Sequence, residues 1–393
     1  MVLSGFKVLV LGKDELSVGR VDDFVSSLES PRLVLLFSSL RDDFFCVSFF
    51  EECVRGLGVP FIGTRVFGSF VRDGFVDDGV VVVVFSGDFS VGVFDVRLDF
   101  NDLGGVVSSM VPQVEGQDLC VVYSSILARE LVYLNTVLEG LSVANPSLQF
   151  CGGNSSPSPI VATNKGLFEG HIAYAVFEGL DFDFWWGTGF EFERDSKEYV
   201  VSSTDGLYVK ELNGKDAVEE FTKIQHLQPY FLNMLSSLVS KMEANKLLET
   251  LSNASEVLYR GVIKFCIRGL GWDDGGVIEP FGVLHIDDKG LLTVSKVFEG
   301  AVVKRINTSK EMQLALYDEL KSRMRKPNAL LINSCIFRFM YLEYDKERIH
   351  ERLKTLGCDF VENYMHGEIG NYTPNSPEKS LTHGATTNAL ILK

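Results

Sequence analysis

The sequence has no long apolar run. Its most obvious one, VVVVVF at Val80–Phe85, is six residues, against the roughly 20 that a membrane-spanning helix needs, so no membrane insertion is expected. Basic charge is scarce. Lys and Arg number 37 against 53 Asp and Glu, a net charge of −16, which argues against nucleic acid and anionic membrane surfaces as partners. The seven cysteines include no CxxC pair. Odd in number and scattered, they fit neither a disulfide framework nor a structural zinc site, and they suit a reducing, cytoplasmic compartment. There is no GxxxxGK[ST] and no strand-placed GxGxxG, so nucleotide binding has no motif behind it and no cofactor is assigned. The N-terminus, MVLSGFKVLVLGKDE, lacks the basic start and small-residue cleavage site of a signal peptide.

What the chain does have is core material. Hydrophobic residues make up 46% of its 393 positions, with 30 Phe, enough for two or three domains or one large layered body. Three stretches share one layout: RLVLLFSSL, DLCVVYSSI and ALLINSCIF. Each reads as a buried strand ending in small polar residues, followed by an amphipathic helix and a second strand running into Gly. In the second helix Leu127, Leu131, Leu134, Val137, Leu138 and Leu141 keep helical spacing. Gly58 precedes Gly68 by the same interval that separates Gly357 from Gly367. The segments Val80–Phe94 and Ile172–Trp186 also align, with Phe-x-Gly at the same offset, and are expected to add antiparallel strands.

Strand–helix–strand units imply parallel pairing covered by helices. The expected class is α/β (α+β), with mixed sheets and outer helices. Residues 1–220 read as an internal duplication and 221–393 as a divergent further copy. A helical stretch over 215–260 joins them, with Leu232, Leu235, Leu238, Val239 and Met242 on one face. DDKG is expected to turn a hairpin within Ile278–Gly300.

Ligands of such sheets bind beyond the carboxyl ends of parallel strands. That singles out Ser38/Ser39, Ser124/Ser125 and Asn333/Ser334/Cys335, although serines there can equally cap the next helix. Gly152 and Gly153, and Gly367 and Gly370, are either turn residues or places where a ligand approaches the backbone. His366 and Glu368 follow on the second strand of the third unit.

The motifs VPFIGTRVFGSF, QFCGGN, VVSSTDGLYVKELNGKDAVEEF, NSCIFR and FVENYMHGEIGN, in this order along the chain, resemble the FIST family, over about residues 30–392. Its members pair an N-terminal and a C-terminal FIST domain, as sensory modules in prokaryotes and within some eukaryotic F-box proteins. Cys335 and Arg338 match its Cys-x-Gly-Arg pattern, with Phe337 in place of the Gly. Gly367, Glu368 and Ile369 match Tyr-Gly-Glu-Ile, with His366 in place of the Tyr. Gly63 and Gly68 match its N-terminal pattern, whereas Thr64, Arg65 and Ser69 depart from it. The resemblance implies a stand-alone sensory protein without an F-box, not an enzyme, with a FIST N-terminal-like part over 1–220 and a C-terminal-like part over 221–393. It implies a small-molecule ligand, such as an amino acid or small carboxylate, and a signalling protein as downstream partner.

The candidate ligand site is Ser334, Cys335, Arg338, His366, Gly367 and Glu368 with Gly152 and Gly153. Arg338 suits a ligand carboxylate and Glu368 an amine. Alternatively the two pair with each other as scaffold. Two other readings stand beside the sensor. Cys335 could act as a thiol nucleophile with His366 as base, or Phe182, Phe184, Trp185 and Trp186 could form a protein-interaction patch rather than a strand covered on both faces.

Overall fold

The computed structural model describes residues 3–126, 130–155, 158–225, 269–273, 277–293, 295–325, 327–342, 344–370, 382–383 and 386–393. The class is mixed α/β, as expected. Three units repeat one order of elements: an outer strand, a helix, a central strand, a second helix, a parallel strand, a short hairpin and a returning strand.

Unit one comprises β1 (Leu3–Gly12), α1 (Val18–Ser26), β2 (Pro31–Ser38), α2 (Asp43–Gly56), β3 (Phe61–Arg65), the hairpin β4 (Gly68–Val71) and β5 (Gly74–Val76), and β6 (Gly79–Gly87). Unit two comprises β7 (Ser90–Arg97), α3 (Leu103–Val114), β8 (Leu119–Ser124), α4 (Leu131–Ala144), β9 (Gln149–Asn154), the hairpin β10 (Val161–Thr163) and β11 (Gly166–Phe168), and β12 (His171–Glu178). Unit three opens with β13 (Phe182–Gly187) and is then interrupted. The interruption carries β14 (Glu191–Phe192), β15 (Tyr199–Asp205), β16 (Tyr208–Leu212), β17 (Lys215–Asp216), α5 (Ala217–Gln225), β18 (Leu270–Asp273), β19 (Ile278–Pro280), β20 (Val283–Asp287), β21 (Gly290–Thr293) and β22 (Val302–Asn307), whose strands form a sheet of their own. Unit three resumes with α6 (Lys310–Arg323), β23 (Ala329–Cys335), α7 (Ile336–Tyr341), α8 (Lys346–Lys354), β24 (Asp359–Met365), the hairpin β25 (Glu368–Gly370) and β26 (Thr382–His383), and β27 (Thr387–Leu392).

Each unit builds the same four-stranded core: β1-β6-β2-β3, β7-β12-β8-β9 and β13-β27-β23-β24. Only the last two strands of each are parallel. The fifth and sixth strands come from a neighbour. Hairpin β10–β11 of unit two pairs with β3, hairpin β25–β26 of unit three with β9, and hairpin β4–β5 of unit one with β24. The exchange closes a cycle, and residues on either side of position 220 share sheets. The expected antiparallel strands at Val80 and Ile172 are β6 and β12, which return along β2 and β8.

The packing explains the apolar runs. Leu33, Leu35 and Phe37 of β2, Leu119, Val121 and Tyr123 of β8, and Ala329 and Leu331 of β23 meet in one shared core. The opposite faces of the first two sheets bury Val34 and Leu36 under α1 and α2, and Cys120 and Val122 under α3 and α4. A central strand covered on both faces has no polar alternation to show. The helices are capped by Ser17, Asp42, Asp102, Ser309 and Asp345. The serine pairs therefore do not cap them: α2 starts beyond Asp42, and Ser38 and Ser39 are still held by the sheet. Turn residues Asp288 and Lys289 join β20 to β21, as DDKG predicts. The helical stretch expected over 215–260 is present as α5 up to Gln225; the rest lies outside the described residues, as does Leu127. No described helix is long and apolar enough to cross a membrane.

Candidate functional site

The second small residue after each central strand does the same job in units one and two. The Ser39 N–H donates to the Gly79 carbonyl at 2.9 Å, and the Gly79 N–H donates back to Ser39 Oγ at 3.4 Å. In unit two the Ser125 N–H reaches the His171 carbonyl at 2.8 Å, and the His171 N–H returns to Ser125 Oγ at 3.0 Å. A serine thus latches the start of the returning strand, satisfying both of its backbone groups. Unit three breaks the pattern. The Cys335 N–H still donates to the Thr386 carbonyl at 3.0 Å. The Thr386 N–H turns instead to Glu368 Oε2 at 3.4 Å, and Thr386 Oγ1 donates to the same oxygen at 2.8 Å.

Glu368 is thereby drawn fully inside the protein. It sits on the exchanged strand β25, opposite Gly153 of β9. Its Oε1 has no hydrogen-bond partner among the described residues. Burial pushes its carboxyl well above the usual carboxylate range; the Thr386 hydrogen bonds oppose that shift and the neighbouring Glu279 carboxylate adds to it. Glu279, equally enclosed, lies on β19 of the interrupting sheet and accepts from Ser295 Oγ at 2.7 Å. A second buried acid, from the interrupting sheet, thus contributes to the field at Glu368. Thr386 and Glu279 were not anticipated from sequence; Glu279, an acid one residue before Pro280 in an otherwise apolar stretch, was the available signal.

The glycines set the floor. A Cβ on Gly152 would lie 1.8 Å from the Val122 carbonyl oxygen, and one on Gly153 would lie 2.7 Å from Met365 Sδ and 3.1 Å from the Gly367 carbonyl oxygen. Gly367 itself turns at φ +90°, so that its carbonyl accepts the Asn154 N–H at 3.0 Å. His366 donates its backbone N–H to the Asn154 carbonyl at 3.3 Å and sets its ring 6.4 Å from that of Phe337. Dense packing lowers its imidazole to about 4 although part of its surface stays exposed.

Arg338 belongs to another network. Its partner is Glu362, at 3.0 Å with both side chains wholly buried, and not Glu368. Arg338 also donates to Tyr317 Oη at 3.0 Å, to Tyr364 Oη at 3.4 Å and to the Gln313 carbonyl at 2.9 Å. Glu362 takes further hydrogen bonds from Tyr317 Oη at 2.8 Å and Ser334 Oγ at 2.6 Å. The alternative pairing of Arg338 with Glu368 is therefore corrected: Glu362, hidden in the strand FVENYM, faces the guanidinium from β24. Ser334 is likewise committed to this scaffold.

Residues 32–215 match the family model described as the FIST N domain. No curated protein matches the chain. The matched segment runs from β2 to β17, through all of unit two and into the interrupting sheet, and covers just under half the chain. The FIST domain is a sensory domain of signal transduction read as binding small ligands, and it is not a known enzyme family.

The other sequence candidates fall into place around this frame. Trp185 and Trp186 are each 6% exposed, on a strand covered on both faces, so they form no open patch. Cys335 is buried, which does not suit a nucleophile that must meet solvent-borne substrate. His350, expected on a helix surface, donates from Nε2 to the Val71 and Arg72 carbonyls, at 3.1 and 2.9 Å, and so ties α8 to the exchanged hairpin β4–β5. The His171 ring contacts the Glu169 carbonyl at 2.8 Å; the His285 side chain lies outside the described residues. No group of three or more metal-ligating residues occurs among the described residues.

Proposed function

We propose that the protein is a small-ligand sensor whose ligand is recognised at Glu368, together with Cys335, His366, Gly367, Gly152 and Gly153. One observation carries this reading. Where units one and two close their sheets with a self-sufficient serine latch, unit three substitutes a cysteine and a buried acid with one oxygen left over. A buried polar atom without a partner costs roughly 1–3 kcal/mol. A carboxylate oxygen left unpartnered among the described residues, at the one latch where an acid replaces the serine hydroxyl, is supported better by a ligand than by packing. The FIST match at 32–215 supports the same class of function.

The ligand class is an amino acid or a related small molecule whose amine or hydroxyl meets Glu368. Arg338 is already neutralised by Glu362, which leaves the carboxylate-clamp role without support. On the family resemblance, residues 1–220 correspond to the FIST N-terminal part and 221–393 to the C-terminal part, where Cys335, Arg338 and Gly367–Ile369 carry the likeness. Because Glu368 is enclosed, entry of a ligand requires β25 or the interrupting sheet to move, and that motion is the signal a partner protein reads.

Mass spectrometry of small molecules released on denaturing the purified protein tests this, followed by calorimetric titration with the released compound. A stoichiometric small amine or amino acid, bound by the wild type and at least tenfold more weakly by Glu368→Ala, is the expected result. A protein that releases nothing and binds no member of an amino-acid panel overturns it.

A further inference from the structure

A cleft of about 440 Å³ opens where unit three meets the interrupting sheet. This size lies within the roughly 300–1,000 Å³ of small-molecule sites, which favour junctions between structural bodies. One wall is a face of α6, where Met312, Ala315, Leu316 and Glu319 recur at helical spacing. Opposite stand Trp186 and Phe190, which flank the bend between β13 and β14, and Ile278 of β19 closes the end.

Two glycines let the bend pack closely against α6 and so shape the cleft wall. A Cβ on Gly187 would come within 2.5 Å of the Trp185 ring and 2.9 Å of the Leu316 side chain. Gly189, at φ +66°, wraps the bend around Gln313, whose Nε2 donates to the Thr188 and Gly189 carbonyls at 3.0 and 3.2 Å. The floor is thus apolar and aromatic, with the backbone polar groups of the bend turned to Gln313.

Among the described residues, the charged side chains lining the cleft are Glu191 and Glu319. Neither is ion-paired among the described residues, and both are exposed at the rim. Glu319 is oriented by the Trp185 indole N–H, which donates to its Oε1 at 3.4 Å. An aromatic face beside unpaired carboxylates attracts an organic cation twice over, by charge and by the ring quadrupole.

We propose that this cleft is a second ligand site, one that takes a small organic cation with a flat apolar body, an arylalkylammonium. Its apolar part lies between Trp186, Phe190 and Leu316, and its ammonium is held at the rim by Glu319 with Glu191. A ligand there touches unit three and the interrupting sheet at once and so fixes their mutual placement. The site is independent of the Glu368 reading.

The test is calorimetric titration of the full chain with 2-phenylethylamine, with 3-phenylpropionate and 2-phenylethanol as anionic and neutral counterparts. The amine is expected to bind at least tenfold more tightly than either. Glu319→Gln, which keeps an acceptor for the Trp185 N–H, is expected to cut amine affinity at least fivefold. Ala315→Trp, at an exposed helix position, is expected to fill the cleft and abolish binding without lowering the melting temperature. Absence of amine binding, equal binding of all three compounds, or wild-type affinity in both Glu319→Gln and Ala315→Trp would overturn the proposal.

Discussion

Replacing Arg338 by Met leaves the Glu362 carboxyl enclosed without its counter-ion. The pair is wholly buried, with N–O at 3.0 Å. Burial alone would weaken the guanidinium's hold on its proton, but Tyr317, Tyr364 and Glu362 outweigh it and keep it firmly charged. Removing one partner of a buried pair costs about 3–5 kcal/mol. Here Glu362 keeps two hydroxyl donors, Tyr317 and Ser334, which places the cost in the lower part of that range, about 3 kcal/mol. The variant also loses the Arg338 contact over the Tyr317 ring, 4.7 Å to its centroid, worth about 0.5–2 kcal/mol. The sum, about 4 kcal/mol, should lower the melting temperature by roughly 5–10 °C in a chain of this size. The double variant Arg338→Met, Glu362→Gln removes the stranded charge and should recover at least half of the loss. Circular dichroism melts of the wild type, both single variants and the double variant decide it. A single variant that melts with the wild type, or a double variant whose losses simply add, would refute the view that this pair is one coupled scaffold element.

The remaining expectations concern the neighbourhood of Glu368. Gly152→Ala forces a methyl onto the Val122 carbonyl oxygen, 1.8 Å away, and should cost more than about 4 kcal/mol; Gly153→Ala, which meets the mobile end of Met365, should cost clearly less by urea melts. Glu368 has a raised folded pKa, so its contribution to stability is present below the unfolded value of about 4.3 and is lost as pH rises. Glu368→Gln should therefore exceed the wild type in stability at pH 7–8 and approach it near pH 4. His366, lowered to about 4, acts in the opposite sense: stability is lost as pH falls from about 6.5 towards 4, and His366→Gln should flatten that acid limb by roughly 1–3 kcal/mol. Burial pushes the thiols of Cys46, Cys53 and Cys151 up to about 12 and that of Cys358 to about 11, so none of these cysteines should be alkylated by iodoacetamide at neutral pH within minutes; fast labelling of Cys335 would revive the thiol reading.

The repeat was legible in sequence because its signal is local. Apolar runs covered on both faces and a helix after each small-residue pair are visible within forty residues of chain, and the returning strands β6 and β12 align through Phe-x-Gly. The partners in the exchanged hairpins were not legible. Strands of three or four residues carry no periodicity to read, and Ser69 meets Asn363 across 294 residues of chain. The same distance hid the interruption of unit three, since β13 finds β27 only at the far end of the chain. At the site, Glu368 and the glycines were visible as a motif, whereas Glu362 was masked by its apolar neighbours. The serines misled because a serine before a helix signals a cap, while here the tertiary latch to Gly79 and His171 takes its hydroxyl first.

The cyclic exchange of hairpins constrains how the polypeptide can be made. Unit one emerges first with the edge of β3 bare until β10–β11 has been synthesised, and the edge of β9 stays bare until β25 arrives near the other end of the chain. An uncovered strand edge invites pairing with another molecule, and pairings this distant in sequence close slowly. During translation the two nascent sheets should depend on chaperones, and a stalled or prematurely terminated product lacking β25 should self-associate through β9, presenting Cys151, Gly152 and Gly153 to other chains instead of to Glu368.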